Sequence, residues 1–243
     1  MSLPATDILT VAQHPAIFGP WFRDPATWAP WFAFLRALFG LPLIDGDRQL
    51  FETCTGRTEP PAGGACEAWL VCGRRAGKSF VLALIAVYLA VFKDWKPYLS
   101  PGERGHVMIL ATNRRQARVI FRYIRALLVE VPALKTLVEK ELTESLELAN
   151  GITIEVQTAS FRSIRGHTII AACLDETAFW RSEESANPDR EVLDALRPAM
   201  ATVPGALLLC ASSPYTKRGI LYDAYRRYWG QPGPVLVWRA ARG

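Results

Sequence analysis

The chain has 243 residues, 50% of them apolar and 21% charged, with a formal net charge of +5. That balance buries a sizeable core and excludes a disordered or low-complexity polymer, and the length fits one large domain or two small ones. The mild basicity is compatible with a nucleic-acid partner but equally with an ordinary protein surface.

Residues 1–38 form an arm rich in Pro and Trp (Pro20-Trp21-Phe22, then Trp28 to Phe32), ending in a short aromatic helix that runs to Phe39. No basic region followed by an apolar core opens the chain, so no secretory leader is expected. From residue 39 to 243 one α/β unit is expected. Pro60-Pro61-Ala62-Gly63-Gly64 is a turn, after which strands and helices alternate. Ala68–Cys72 reads as a strand and Lys78–Lys93 as a helix. The apolar stretch Phe80–Phe92 falls short of the roughly 20 residues of a membrane span and suits a helix buried in the domain centre. Val107–Ala111 is a strand. Asn113–Val129 is an amphipathic helix with Ala117, Ile120, Phe121, Ile124, Leu127 and Leu128 on one face and Arg114, Arg118, Arg122 and Arg125 on the other. Ser145–Ala149 and Thr153–Gln157 flank Asn150-Gly151, a two-residue hairpin signal. Ile169–Leu174 is a continuous apolar run suited to a central parallel strand. Asn187 caps and Pro188 starts a helix carrying Val192, Leu193, Leu196 and Met200. Ala206–Ala211, Gly219–Trp229 and Val235–Trp238 read as strand, helix and strand. The expected fold is α/β, with a mostly parallel central sheet flanked by helices.

Cys54, Cys66, Cys72, Cys173 and Cys210 form no Cys-x-x-Cys pair, so they read as reduced, small, mostly buried hydrophobes of a cytoplasmic protein. His14, His106 and His167 are scattered along the chain, which argues against a zinc site.

Three strand ends carry chemistry. The first strand is followed by Cys72-Gly73-Arg74-Arg75-Ala76-Gly77-Lys78-Ser79. A glycine-containing loop ending in Gly-Lys-Ser, between a strand and a helix, cradles phosphates. Its backbone N–H groups and the helix N-terminus face the anion, the lysine reaches the β- and γ-phosphates, and the serine hydroxyl helps hold Mg²⁺. Gly73, Arg74, Arg75, Ala76, Gly77, Lys78 and Ser79 are therefore the nucleotide-binding candidates; Cys72 stands where the usual loop has its first Gly. The strand Ile169–Leu174 ends in Asp175-Glu176, at the sheet edge where open α/β folds bind ligands. Asp175 is the Mg²⁺ candidate and Glu176 the group that orients or deprotonates an attacking water. The third strand delivers Ser212 and Ser213 before Pro214, hydroxyls placed to sense the γ-phosphate and move when it leaves. With no Asn-Lys-x-Asp sequence, ATP is favoured over GTP.

In order and spacing these motifs resemble the ATPase domain of the phage large terminase, a P-loop NTPase of the catalytic-glutamate class. The resemblance extends through Ile109 to Asn113 with Gln116-Ala117, Arg165-Gly166, Leu174 to Trp180, Leu196-Arg197-Pro198 and Ser212-Ser213-Pro214. It covers roughly Phe39 to Trp238 and implies an ATPase motor that drives double-stranded DNA into a procapsid. The implied partners are DNA, the portal protein, the small terminase subunit and ring-forming copies of the chain, in the host cytoplasm, with no membrane. It implies that Arg74 is the loop arginine that contacts the γ-phosphate in cis and assists catalysis, and that Ser212 and Ser213 couple hydrolysis to movement. Gln49 is either the family's adenine-reading glutamine or a polar helix residue. The family's nuclease domain is not expected within these residues, so no DNA cleavage is expected. A basic excess from Tyr215 onward is either a DNA-facing segment or a solvated face. The alternative readings are a helicase-like translocase and a nucleotide-binding scaffold without turnover.

Overall fold

A computed structural model describes residues 6–73, 75–158, 164, 166–180 and 188–240. Strands with apolar side chains on both faces need cover on both faces, and the chain provides it by alternating strand and helix. In chain order the elements are α1 (Ile8–Gln13), α2 (Pro25–Phe39), α3 (Asp47–Thr55), β1 (Glu67–Val71), α4 (Lys78–Phe92), β2 (Gly105–Ala111), α5 (Arg114–Val129), α6 (Pro132–Lys135), β3 (Val138–Glu141), β4 (Ser145–Leu148), β5 (Ile152–Thr158), β6 (Thr168–Asp175), α7 (Pro188–Met200), β7 (Leu207–Ser212), α8 (Ile220–Tyr228) and β8 (Val235–Arg239).

The sheet has eight strands in the order β3-β4-β5-β2-β6-β7-β1-β8. Every pairing from β5 to β8 is parallel, while β3 and β4 add an antiparallel hairpin at one edge. The expected α/β architecture is the observed one. Side chains alternate between two cores. Ala68, Leu70, Val107, Ile109, Ile154 and Leu236 share a core with α1 to α5; Trp69, Met108, Leu110, Leu174, Leu208 and Val237 share one with α7 and α8. In β6 the register slips opposite His106 and Val107, so that Ile170 and Ala171 both turn toward α4. This is a β-bulge, one residue more than the partner strand uses.

Helix α4 is buried on nearly all sides, as its unbroken apolar sequence requires. Part of its cover is the aromatic arm. Ile8, Val11, Phe18, Phe22, Trp31 and Phe34 belong to the same core as α4, so packing is continuous across residue 38. Asp24 caps α2 by accepting from Ala26 N at 3.1 Å, and Gly40, at φ +67°, ends it.

Two details differ from the sequence expectation. The β4–β5 register, Glu147 opposite Thr153 and Ser145 opposite Glu155, puts Asn150 at the hairpin apex, so the connection has three residues rather than two. Gly151, at φ +86°, takes the left-handed position that closes such a loop. Strand β3, which the sequence reading does not single out, pairs antiparallel with β4 at the sheet edge, with its side chains largely exposed. The expected cap Asn187 lies outside the described residues. Cys54, Cys72, Cys173 and Cys210 are buried and Cys66 is exposed; burial pushes the Cys72 thiol up to about 11 and that of Cys173 to about 12. Among the described residues no helix is long and apolar enough to cross a membrane.

Candidate active site

Adjacent parallel strands bring their C-terminal ends to one edge. Because β7 sits between β6 and β1, with Val71 opposite Ser212 and Asp175 opposite Ala211, the loop after β1, the acids after β6 and the serines of β7 lie side by side. The loop and Glu176 line a cleft of about 650 Å³, and the serines stand behind them in hydrogen-bond contact with Glu176 and Lys78.

The loop turns into α4 through left-handed backbone at Arg75 (φ +63°) and at Gly77 (φ +85°). Such a conformation costs a non-glycine residue energy, which marks Arg75 as held by its surroundings. A tether from the aromatic arm is part of that hold: the Trp31 indole Nε1 donates to the Ala76 carbonyl at 2.8 Å. Trp28 and Phe22 pack on Phe80 in the first turn of α4, at ring-centroid distances of 5.5 and 5.6 Å.

Lys78 is 6% exposed, and its ammonium donates to Cys72 O at 3.2 Å, Gly73 O at 2.9 Å and Ser213 Oγ at 3.2 Å. The Glu176 carboxylate is 3.6 Å away. Glu176 itself sits at φ +52° and is gripped by the serine pair: Ser213 N donates to its Oε2 at 3.0 Å, Ser212 Oγ to the same oxygen at 3.2 Å, and Ser213 Oγ to Oε1 at 3.2 Å. Ser212 Oγ in turn accepts from Ala178 N at 3.2 Å. A buried cation and a nearly buried anion are tolerable only with such partners.

Asp175 is fully buried. Burial pushes its carboxyl up to about 6, the Gln116 hydrogen bond opposes the rise, and the neighbouring Glu176 charge adds to it. Its Oδ2 accepts from Gln116 Nε2 at 3.0 Å, while Oδ1 is buried with no hydrogen-bond partner. Trp180 Nε1 donates to the Asp175 carbonyl at 2.9 Å and pins the turn that follows β6.

Ala76, Gly77, Lys78, Ser79, Arg75 and Glu176 line the cleft, and Asp175 and Ser213 lie directly behind Gln116 and Lys78. Gly73 lies at the exposed start of the loop, its carbonyl on Lys78. Arg74 lies outside the described residues. Gln49 is not brought to the cleft: it is exposed on α3, a helix that packs against α2 and β8. The arginine face of α5 is partly paired with the β-hairpin. Arg114 and Arg118 lie 3.9 and 3.7 Å from Glu144, and Arg125 lies 2.5 Å from Glu141.

Sequence reasoning missed the roles of Gln116, Trp31 and the far wall, where Phe80, Val119, Tyr123 and Phe179 add apolar surface beside the loop. Gln116 was legible in part. It stands in the first turn after the cap residue Asn113, whose Oδ1 accepts from Gln116 N at 3.0 Å, directly above the β2 strand end that neighbours β6. Nothing in the local sequence points Trp31 at a loop 45 residues away.

The family described as terminase large subunit, T4likevirus-type, N-terminal, matches residues 70–188. The crystal structure of the HK97 bacteriophage large terminase is similar with a TM-score of 0.65 and 18% identity, over 96% of this chain and 43% of that one. This chain therefore spans less than half the length of that terminase. The Thermus phage P74-26 large terminase ATPase domain is similar with a TM-score of 0.55 and 17% identity, over 86% of this chain and 84% of that one. At these identities the likeness is one of fold. No curated protein matches the chain. Residues 70–188 carry the N-terminal signature of the terminase large subunit, within the fold of phage large terminase ATPase domains.

Proposed function

We propose that this chain is the ATPase motor unit of a viral large terminase, hydrolysing ATP to drive double-stranded DNA into a procapsid. In this reading residues 39–243 form the ATPase domain and residues 1–38 an arm, of which the described residues 6–38 pack against it. The observation that carries it is the junction of Lys78, Glu176 and the Ser212–Ser213 pair at one cleft edge. Glu176 bonds both serines there, at 3.0 to 3.2 Å, and lies 3.6 Å from the lysine.

ATP is the substrate. Ser79 and Asp175 would hold the Mg²⁺ that accompanies it, and the partnerless, fully buried Asp175 Oδ1 fits that role, since a carboxylate oxygen so placed has no other compensation. The ion would neutralise charge between the β- and γ-phosphates. Lys78 exchanges its contacts with Glu176 and Ser213 for phosphate oxygens. Freed of the lysine, Glu176 orients a water toward the γ-phosphate and takes its proton. The backbone N–H groups of residues 75–79 and the N-terminus of α4 hold the phosphates. Arg74 stabilises charge on the transferred phosphoryl group. When phosphate leaves, Ser212 and Ser213 transmit the change, because they bond the Glu176 carboxylate that lines the cleft.

The partners in this reading are double-stranded DNA, the portal protein, the small terminase subunit and further copies of the chain arranged as a ring on the procapsid, in the host cytoplasm. Cleavage of DNA is not assigned to these residues. The test is phosphate release by the purified chain with and without duplex DNA and portal protein. Mg²⁺-dependent release of phosphate from ATP supports the reading. A folded chain that binds ATP without turning it over under all these conditions would be a nucleotide-binding scaffold, and ATP-driven strand separation would make it a helicase-like translocase.

A further inference from the structure

A second set of metal-ligating side chains lies away from the cleft, toward the amino ends of the parallel strands. His106 is the second residue of β2, Glu155 is in β5, and His167 immediately precedes β6. His106 alternates with Val107, and Glu155 with Ile154 and Val156, whose side chains face α4; both therefore project to the opposite side of the sheet. Strands β5, β2 and β6 are direct neighbours, so three residues scattered in the sequence meet. The scatter of the histidines argued against a zinc site, and the parallel pairing cancels that argument for two of the three.

One ligand atom from each of His106, Glu155 and His167 lies within 4.8 Å of the other two. His106 Nδ1 and Glu155 Oε1 are 3.6 Å apart. Both atoms are buried, and neither has a hydrogen-bond partner. A charge-assisted hydrogen bond would close this pair to about 2.7–2.9 Å. The observed spacing is instead close to the roughly 3.3 Å that separates two ligands of one tetrahedral ion with bonds of about 2.0–2.2 Å. His106 Nε2 separately lies 3.3 Å from His167 Nδ1, a hydrogen-bond contact between rings inclined at 61° and not a spacing between two ligands of one ion. His167 is half-buried, at the rim from which an ion would enter.

We propose that His106, Glu155 and His167 form a binding site for a divalent transition-metal ion of the zinc class, distinct from the nucleotide cleft. Two imidazoles and one carboxylate are a nitrogen-and-oxygen donor set suited to such an ion and poor for Mg²⁺, which prefers an all-oxygen shell. The site gives a partner to the two buried atoms that lack one. It also ties β5, β2 and β6 together at the end of the sheet opposite the cleft, so its contribution is to the folded state. It does not depend on the ATPase reading.

The experiment uses the untagged chain carrying Cys66→Ser, which removes the exposed thiol as a competing ligand. Zn²⁺ retention is measured by equilibrium dialysis and metal analysis, and thermal unfolding is followed with and without Zn²⁺. The expected result is one zinc per chain and a higher Tm with the ion, because a ligand that binds only the folded state stabilises it. His106→Ala and His167→Gln should each weaken retention by at least the ~10–100-fold that loss of even an outer-shell partner costs. His14→Ala, on a residue outside the cluster, should not. His167 lies outside the strands, so its variant keeps the test decisive if His106→Ala fails to fold. No zinc retained by the wild-type residues, or retention and Tm shift unchanged in His167→Gln, overturns the proposal and leaves the three side chains as a packed polar cluster.

Discussion

The two sides of the cleft are built on different principles. On the strand-end side Asp175, Glu176, Ser212 and Ser213 hang from β6 and β7, whose pairing fixes them, and Asp175, Ser212 and Ser213 are buried. On the loop side, the chain passes through left-handed backbone at Arg75 and Gly77, with Arg75 exposed, and a tether from the aromatic arm, Trp31 Nε1 to Ala76 O, holds its middle. In the proposed reading, the chemistry that needs exact placement of a carboxylate falls on the strand-end side. Phosphate binding, which asks for backbone N–H groups that wrap an anion, would in the same reading fall on the loop side. Lys78 joins the two, donating to loop carbonyls and to Ser213.

Removing the joint should have the largest effect. Lys78→Ala takes away the proposed phosphate ligand and leaves Glu176 without its cation, so ATP turnover should fall by orders of magnitude in a folded protein. Wild-type-like phosphate release by a variant with native circular dichroism would break both the comparison and the site.

The strand-end side is next. Glu176→Gln keeps the shape and the hydrogen bond from Ser213 N but removes the proposed base. Turnover should drop by about 10²–10⁴-fold while nucleotide affinity, measured by calorimetry, stays close to wild type. Equal losses in binding and turnover would mean that Glu176 shapes the cleft rather than the reaction.

The buried Asp175 allows a test on stability alone, in the nucleotide-free protein. Its carboxyl is raised from 3.8 to about 6, mainly by burial, so the folded state holds this proton more tightly than the unfolded state. Its contribution to stability is therefore full below pH about 4 and is lost as pH rises to about 6, by at most about 3 kcal/mol. Asp175→Asn should flatten that part of the stability–pH curve in chemical denaturation. An unchanged slope would show that the acid is not held as tightly as its burial implies.

The loop side should yield the smallest effect. Trp31→Phe keeps the aromatic packing and removes one N–H donor, a loss of about 1 kcal/mol. Nucleotide affinity should weaken by about fivefold, with turnover at saturation nearly unchanged. A fall in turnover as large as that of Glu176→Gln would mean that the tether places catalytic atoms as well as the loop.

The strands, their order of appearance and the three strand-end motifs were legible in the sequence, because each rests on local chemistry. Apolar runs make buried strands, Gly77 permits the turn into α4, and Asp175-Glu176 or Ser212-Ser213 at a strand end must emerge at the sheet edge. Val138–Glu141 has one apolar residue to bury, so β3 as a strand became visible only through its partner. What the tertiary structure alone decided is adjacency. The order β6-β7-β1 sets the serines between the acids and the phosphate loop, Gln116 reaches Asp175 across 59 residues, and Trp31 reaches Ala76 across 45. The same pairing of β5, β2 and β6 brings His106 to Glu155 and His167. Strand order follows from how the whole set of apolar faces is covered by helices at once. No window of sequence contains that global balance, whereas the polar residues that emerge at each strand end are already written in it.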